Sequence, residues 1–217
     1  MRSYRVLTAD RAAEIVAAIR GMPWEPGRSA REHGKVKRTM ELRADKCPEA
    51  KPYLDEIAQA IGKCGVFERE HIEAAHYPRF SLYAGGGEYR IHTDAAYMGR
   101  TRTDVALTLF LTDDFEGGEL CIDGVLPGGK PARAKAPAGV AVAYECWRPH
   151  WVEPVTKGER IVVITWLQSR VRNAADREVL GRLQSVIDDI EHQTMSAQER
   201  FAHLGAVHEH LKKRWSA

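Results

Sequence analysis

The feature that most constrains the fold is a run of five short segments rich in β-branched, aromatic and leucine residues. They cover residues 76–83, 104–112, 119–122, 139–144 and 160–167. Glycine and proline separate them, notably at residues 85–87, 117–118 and 127–129. Many short strands with frequent turn signals are typical of a β-sandwich or jelly roll and not of a sheet built from βαβ units.

Helical periodicity flanks this β-rich region on both sides. Thr8 is a suitable N-cap for a helix whose apolar positions recur up to Gly21, and residues 52–62 form a second amphipathic pattern. After Arg172 two further apolar stripes follow, and the second begins with a capping box over residues 196–199. We interpret both C-terminal stripes as core packing.

Together these patterns predict a single domain over residues 1–217, mainly β with flanking helices. Its expected parts are an N-terminal helical layer over about residues 1–75, a β core over about 76–172 and C-terminal helices over about 173–217. The polar, basic segment 24–45 has no assignment.

Composition narrows the functional classes. The net charge is only +2 and the basic residues are spread along the chain, which argues against nucleic-acid binding. No apolar stretch approaches the roughly 20 residues that span a bilayer, and the N-terminus lacks the apolar core of a signal peptide. The four cysteines form no C-x-x-C pair. We therefore expect a cytoplasmic protein with reduced thiols that binds neither nucleic acid nor membranes.

The most informative segment, residues 83–94, ends in an H-x-D sequence formed by His92 and Asp94. If this stretch is extended, both side chains point to the same face because strand side chains alternate. An imidazole nitrogen and a carboxylate oxygen are two of the three ligands in a facial triad for non-haem Fe(II). H-x-D alone is a weak signal, but His150 follows the strand-like segment 139–144 and is a candidate third ligand.

Arg160 opens the most apolar strand-like segment of the chain. If its side chain points inward, it needs an anionic partner, because a buried unpaired charge is very costly. A dicarboxylate cosubstrate supplies such a partner, since a guanidinium group binds a carboxylate through two parallel hydrogen bonds. The alternative is that Arg160 lies at the surface, on the edge of a strand.

Four stretches of the sequence resemble the Fe(II)/2-oxoglutarate-dependent dioxygenases, and specifically the bacterial PKHD-type hydroxylases of the prolyl/lysyl hydroxylase group. They are residues 83–94, residues 102–112 with the sequence Gly117-Gly118-Glu119-Leu120, residues 150–160 and residues 166–172. The resemblance implies a double-stranded β-helix, which is a jelly-roll variant. It also implies hydroxylation of a substrate with release of succinate and CO₂. The implied cofactors are Fe(II), 2-oxoglutarate and O₂, with ascorbate as an optional addition.

Carried over by position, the resemblance implies that His92, Asp94 and His150 hold the iron, with no catalytic residue beyond these ligands. Arg160 would bind the distal carboxylate of 2-oxoglutarate, and Tyr83 would add a hydrogen bond to that cosubstrate. A tyrosine at the end of a strand is as often part of the core, so the role of Tyr83 stays open.

The substrate implied by the resemblance is a prolyl, lysyl or other amino-acid side chain, free or in a peptide. Arg100 and Arg102 follow the H-x-D sequence, and they are equally good candidates for contacts with an acidic substrate group and for surface charges. Residues 146–149 and 125–135 depart from the family pattern in loops near the expected pocket, which affects substrate choice and not the iron site.

The sequence leaves two other classes of protein open. One is a non-catalytic jelly-roll binding module, which would not need two histidines, an aspartate and a spaced arginine together. The other is a cupin-like metalloenzyme that does not use 2-oxoglutarate. Turnover of 2-oxoglutarate with added Fe(II) separates all three. The oligomeric state is left open by the sequence.

Overall fold

Two antiparallel sheets face each other in this protein, whose computed structural model describes residues 1–27, 37–124 and 129–215. The strands in chain order are β1 (Arg2–Arg5), β2 (Glu25–Pro26), β3 (Met40–Leu42), β4 (Ile72–Ala75), β5 (Arg79–Ala84), β6 (Tyr89–His92), β7 (Tyr97–Met98), β8 (Thr101–Arg102), β9 (Val105–Phe110), β10 (Glu116–Gly117), β11 (Leu120–Ile122), β12 (Ala132–Ala134), β13 (Val140–Glu145), β14 (His150–Val152), β15 (Val155–Lys157) and β16 (Glu159–Ser169). The helices are α1 (Ala9–Ile19), α2 (Lys51–Lys63), α3 (Val66–Arg69), α4 (Ala174–His192) and α5 (Ala197–Trp215), and a short 3₁₀ helix covers Pro48–Ala50.

The larger sheet has the strand order β1-β13-β9-β16-β5-β3-β2, and β4 pairs with the end of β16. The smaller sheet has the order β12-β11-β14-β6. Two further sheets have only two strands each: β10 pairs with β15, and β7 pairs with β8. Because the smaller sheet contains β6 and β14, it carries the two histidines that the sequence singles out.

Side-chain alternation along the central strands divides the core into two layers. In β9, Leu107 and Leu109 pack with the residues of α1 and α2 on the outer face of the larger sheet. Ala106 and Phe110 point the other way, into the layer between the two sheets. The helices therefore cover one face of the larger sheet, and the other face lines the space next to the candidate site.

All five predicted strand segments are present, with small shifts at their ends. The first begins at Arg79 and not at residue 76, since Pro78 has no N–H to donate to a strand ladder. The N-terminal prediction was incomplete, because the first 75 residues also contribute strands to the larger sheet. In β1, for example, only Tyr4 is buried, so no apolar run marks the strand. Of the unassigned segment 24–45, residues 28–36 lie outside the described ranges.

The predicted helix caps are confirmed. The hydroxyl of Thr8 accepts a hydrogen bond of 3.1 Å from the backbone N–H of Arg11 at the start of α1. Before α5, the N–H of Ser196 donates to Glu199 Oε2 at 2.7 Å, and the N–H of Glu199 donates to the Ser196 hydroxyl at 3.3 Å. This reciprocal pair is the capping box that the sequence indicates.

The interpretation of the C-terminal stripes as core was wrong in part. Val186 and Val207 are buried as expected. Four apolar side chains of the two stripes stay exposed, namely Ile187, Ile190, Phe201 and Leu204, at 57%, 72%, 77% and 46% exposure. The helices α4 and α5 pack against each other, so each buries a narrower face than its apolar stripe. None of the helices in the described ranges combines the length and apolar character that a bilayer crossing needs.

Candidate active site

The three predicted metal ligands meet at one point at the edge of the smaller sheet. His92 ends β6 and His150 begins β14, and the two are register partners whose ring centroids lie 4.2 Å apart. Asp94 Oδ2 lies 3.7 Å from His150 Nε2. One ligand atom from each residue lies within 4.8 Å of the others, and no other group of this kind occurs in the part of the chain that the structure describes. The arrangement can hold a single metal ion.

Backbone carbonyls fix the orientation of both imidazoles. His92 Nδ1 lies 2.8 Å from the carbonyl oxygen of Arg90, and His150 Nδ1 lies 2.9 Å from that of Arg148. A carbonyl oxygen only accepts, so Nδ1 carries the proton in both rings and Nε2 carries the lone pair. Metal-ligating histidines in proteins are typically held in this way, by a hydrogen bond from the second ring nitrogen.

The surroundings of Asp94 fit a metal ligand. Its side chain is only 8% exposed, and Oδ2 has no hydrogen-bond partner among the described residues. Burial raises the pKa of Asp94, against the opposing effects of His150, Trp166 and Cys146. A buried carboxylate oxygen without a partner is unfavourable, and a metal ion at this point would satisfy it. Two imidazoles and one carboxylate are the donor set that suits Fe(II).

Aromatic rings hold the two imidazoles from the side. The ring of Tyr89 stacks on His92 with centroids 3.6 Å apart, and Tyr144 contacts His150 edge-on at 4.9 Å. Sequence reasoning missed both tyrosines. Tyr89 lies in the segment that resembles the family, whereas Tyr144 ends the predicted strand segment 139–144 and gave no signal of its own.

Arg160 points inward and is only 1% exposed, so the surface alternative is excluded. It is the register partner of Tyr83, and its guanidinium carbon lies 4.9 Å from the Tyr83 ring centroid and 5.1 Å from that of Phe110. Its Nε and Nη1 have no hydrogen-bond partner within the described ranges. Burial lowers the pKa of Arg160, partly offset by Tyr83 and Tyr144. A buried guanidinium with unused donors fits an anionic ligand.

The Gly117–Gly118 pair allows the chain to pass closely over Arg160. Gly118 has a φ of +67°, and a Cβ there would lie 2.8 Å from Val155 Cγ2 and 3.1 Å from Arg160 Cδ. Gly117 has a φ of +70°, and its Cβ would lie 2.2 Å from the carbonyl oxygen of Pro154. Both positions therefore require glycine, for backbone conformation and for space.

The triad, Arg160 and Tyr83 all line one cavity of about 300 Å³. Two other sequence candidates do not. Arg100 is exposed, and Arg102 donates hydrogen bonds to Asp104 at 2.8 and 3.0 Å and to the Ser169 carbonyl at 2.6 Å. The structure therefore gives Arg102 a structural partner and brings neither arginine to the cavity.

Sequence reasoning also missed charged side chains of the cavity wall. They are Lys37, Glu41, Arg43 and Arg79. Arg79 offered a signal like that of Arg160, because it is a charged residue inside a predicted apolar strand. Lys37, Glu41 and Arg43 come from the segment that had no assignment.

The fold and this site define a class of enzyme, the Fe(II)- and 2-oxoglutarate-dependent oxygenases. The family model of the 2OG-Fe(II) oxygenase superfamily matches residues 78–168. A PKHD-type hydroxylase of Stenotrophomonas maltophilia (strain R551-3) is 32% identical, over 97% of this chain and 96% of that protein. One of Hyphomonas neptunium is also 32% identical, with the same coverage of 97% and 96%. The chain belongs to the PKHD-type hydroxylases of this superfamily.

Solved structures agree on the fold. A prolyl-4-hydroxylase from Pseudomonas putida has a TM-score of 0.54 at 24% identity, covering 78% of this chain and 92% of that one. A prolyl hydroxylase from Trichoplax adhaerens has a TM-score of 0.56 at 17% identity, covering 78% and 83%. These likenesses confirm the predicted jelly-roll core with flanking helices.

Family membership decides between the functional classes left open by the sequence. The protein is an Fe(II)- and 2-oxoglutarate-dependent hydroxylase that uses O₂, and its family acts on small-molecule or peptide substrates. A non-catalytic binding module and a metalloenzyme without 2-oxoglutarate are therefore disfavoured.

Proposed function

We propose that His92, Asp94 and His150 hold Fe(II) and that Arg160 binds the distal carboxylate of 2-oxoglutarate in the same cavity. The observation that carries this assignment is the burial of Arg160, whose Nε and Nη1 have no partner among the described side chains. A guanidinium group in this state is stabilised by a carboxylate that enters the cavity with its cosubstrate.

When bound, Fe(II) would supply the activation of O₂ and the oxidative decarboxylation of 2-oxoglutarate. The chain's own residues contribute position and electrostatics. Nδ1–H of His92 and of His150 donates to a backbone carbonyl, which places the lone pair of each ring on Nε2, the nitrogen that would hold the metal. Arg160 would fix the cosubstrate at its far end, and the rings of Tyr83 and Phe110 would keep water away from that ion pair.

Tyr83 would add a hydrogen bond to the cosubstrate. Its ring is 1% exposed and lies 4.9 Å from the Arg160 guanidinium carbon, a distance that suits a cation–π contact. Burial raises the pKa of Tyr83, against the effect of Arg160, so the hydroxyl keeps its proton and remains a donor for a carboxylate oxygen. The same ring also belongs to the core layer between the sheets.

The hydroxylated group proposed here is an amino-acid side chain, free or in a peptide. Support comes from the names of related proteins: PKHD-type hydroxylases in sequence and prolyl hydroxylases in fold. The Trichoplax protein was solved with a peptide fragment of hypoxia inducible factor. Neither Arg100 nor Arg102 enters this proposal, since they lie away from the cavity.

Release of succinate tests the assignment directly. We expect the purified protein with Fe(II), 2-oxoglutarate and air to form succinate slowly without substrate, and His150→Ala to form none. A screen of amino acids and peptides would then look for faster succinate release together with a product heavier by one oxygen atom. A fully iron-loaded wild-type protein that leaves 2-oxoglutarate unchanged would refute the proposal.

Three sequence-based expectations remain predictions. These are a single catalytic domain over residues 1–217, a cytoplasmic location, and the absence of nucleic-acid or membrane partners. The location is supported by the four cysteines, all of which are unpaired.

A further inference from the structure

A second cationic group lines the cavity at a distance from Arg160. In the register of β5 and β16, Arg160 faces Tyr83 whereas Arg79 faces Ile164. The two pairs are four residues apart along each strand, which corresponds to about 13 Å at ~3.3 Å per residue. Arg79 and Tyr83 are separated by an even number of residues and so point to the same face of the sheet. The cavity therefore has an arginine towards each end.

The donors of Arg79 are only partly used. Its guanidinium carbon lies 4.7 Å from the centroid of the Trp166 ring, which holds the group in place. Its Nε is buried and makes no hydrogen bond to any described residue. The nearest carboxylate oxygen, Glu41 Oε1, is 3.6 Å from this Nε and already accepts a hydrogen bond from Lys37. A buried donor in this state is satisfied by an acceptor that enters with a ligand.

The charges of the lining residues indicate that this ligand is an anion. Beyond the triad and Arg160, the charged lining residues in the part of the chain that the structure describes are Lys37, Glu41, Arg43 and Arg79. Arg43 is neutralised by Asp45 through hydrogen bonds of 2.9 and 2.6 Å. Glu41 carries one negative charge and can balance only one of its two cationic neighbours, Lys37 and Arg79. Burial acts to raise the pKa of Glu41, but Lys37 and Arg79 hold that pKa below its usual value, so the carboxylate is ionised.

Among the described residues, the formal charges at this end of the cavity therefore sum to one positive charge, and Glu41 opposes the effect of burial, which lowers the pKa of Lys37. The other end is balanced once it is loaded, because Fe(II) and Arg160 together offset Asp94 and the two carboxylates of 2-oxoglutarate. A substrate with a single negative group would complete the balance. The cavity volume of about 300 Å³ lies at the lower end of the range for ligand sites, which favours a small molecule.

We infer that Arg79 is a specificity-determining residue that binds a carboxylate of the substrate, so that the enzyme hydroxylates a small free acid and not a residue inside a peptide. This inference rests on the proposed function, because it assigns 2-oxoglutarate to Arg160. The overall reaction is unchanged: a C–H bond of the acid becomes C–OH while 2-oxoglutarate and O₂ become succinate and CO₂. A small monocarboxylic acid, with its carboxylate on Arg79, has the required chemistry.

A binding experiment tests the inference without knowledge of the natural substrate. The protein is loaded with Mn(II), which does not support turnover, and with saturating 2-oxoglutarate. Cyclopentanecarboxylate and cyclopentanecarboxamide are then titrated, since they share one apolar ring and differ in charge. Relaxation of their ring protons by the bound metal reports binding near the triad. We expect the acid to bind at least tenfold more tightly than the amide.

Variants assign this preference to Arg79. Arg79→Gln should weaken binding of the acid about tenfold or more, whereas Arg79→Lys should keep part of the preference because it keeps the charge. Arg100→Gln is the matched control, since it removes the same charge from an exposed position outside the cavity, and it should bind the acid as wild type does. Affinity for 2-oxoglutarate should be unchanged in all three.

Each alternative result has a distinct meaning. Equal binding of acid and amide by the wild type, no binding of the acid, or full binding by Arg79→Gln would each overturn the inference. If Arg79→Gln does not fold, the inference is still tested by the affinities of the wild type for the acid and the amide and by the affinity of Arg79→Lys for the acid. Loss of 2-oxoglutarate affinity in Arg79→Gln would place the cosubstrate at this end of the cavity and so contradict the proposed function as well. A wild-type protein that binds neither Mn(II) nor 2-oxoglutarate would refute the proposed function, and the inference about Arg79 would be refuted with it.

Discussion

His92 and His150 are register partners on β6 and β14, and each directs Nδ1 at the carbonyl oxygen two residues before it in the chain. Sheet pairing brings the rings together, and the local hydrogen bond sets their tautomer. In both rings Nε2 is therefore the nitrogen that carries the lone pair and can coordinate a metal ion. The cavity is built around this pair.

Loss of either histidine should abolish metal binding. In His150→Ala the triad keeps one imidazole and one carboxylate, which is too few ligands for a stable Fe(II) site. We expect iron content and 2-oxoglutarate turnover to fall to background, measured by metal analysis of the purified protein and by succinate release. His208→Ala is the control, because this side chain is 73% exposed on α5 and should leave both values unchanged. Full iron occupancy in His150→Ala would contradict the assignment.

Arg160→Ala should weaken 2-oxoglutarate use and leave iron content close to wild type. Truncation of one partner in a buried, hydrogen-bonded charge pair typically weakens binding by about 2–5 kcal/mol. Because ~1.4 kcal/mol corresponds to a factor of ten, the Michaelis constant for 2-oxoglutarate should rise tenfold or more. Arg160→Lys should lie between the two proteins, since it keeps the charge without the planar fork. An unchanged 2-oxoglutarate dependence in Arg160→Ala would show that another residue binds the cosubstrate.

Gly118→Ala should impair both stability and cosubstrate binding. The added methyl group would meet Val155 and Arg160 at 2.8 and 3.1 Å, in a backbone conformation with φ +67°. We expect the free energy of unfolding to fall by roughly 1–3 kcal/mol and the Michaelis constant for 2-oxoglutarate to rise. Gly62→Ala on α2 is the matched control, because a Cβ there has nothing within 4 Å, and helix propensity predicts equal or higher stability. Chemical denaturation of both variants gives the comparison, and equal stabilities would contradict the steric argument.

Metal binding should stabilise the wild type and not Asp94→Asn. A ligand that binds only the folded state at a hundred times its dissociation constant adds about 2.7 kcal/mol, which is visible as a rise in melting temperature. Without metal, Asp94→Asn should be at least as stable as wild type, because it removes a buried carboxylate whose Oδ2 has no partner in the described structure. Thermal unfolding with and without Mn(II) measures both effects. An equal metal-induced shift in Asp94→Asn would argue against Asp94 as a ligand.

The cysteines should react as four separate thiols of unequal accessibility. Cys47, Cys121 and Cys146 are 1%, 0% and 2% exposed, whereas Cys64 is half-buried at the end of α2. In native protein a chromogenic thiol reagent should therefore modify Cys64 first. In denatured protein without reductant it should detect all four thiols, and a count of two or none would reveal disulfides.

Local sequence determined the parts of this protein that depend on neighbouring residues. The five strand segments were predictable because apolar alternation and glycine or proline breaks are local. So was the common face of His92 and Asp94, which follows from their spacing on an extended chain. The capping box before α5 was likewise visible in four consecutive residues.

Tertiary structure alone decided which distant side chains share the cavity. The pairing of β14 with β6 places His150 beside His92, and the register of β16 with β5 places Arg160 beside Tyr83. Lys37 and Glu41 reach the same cavity as Arg79 from a segment without any recognisable pattern. Burial and charge balance arise from contacts between segments far apart in the chain, so no local pattern encodes them. The sequence shows Arg79 and Arg160 only as two charges in apolar strands, and the tertiary structure places both beside one cavity, with Arg160 buried and Arg79 partly exposed.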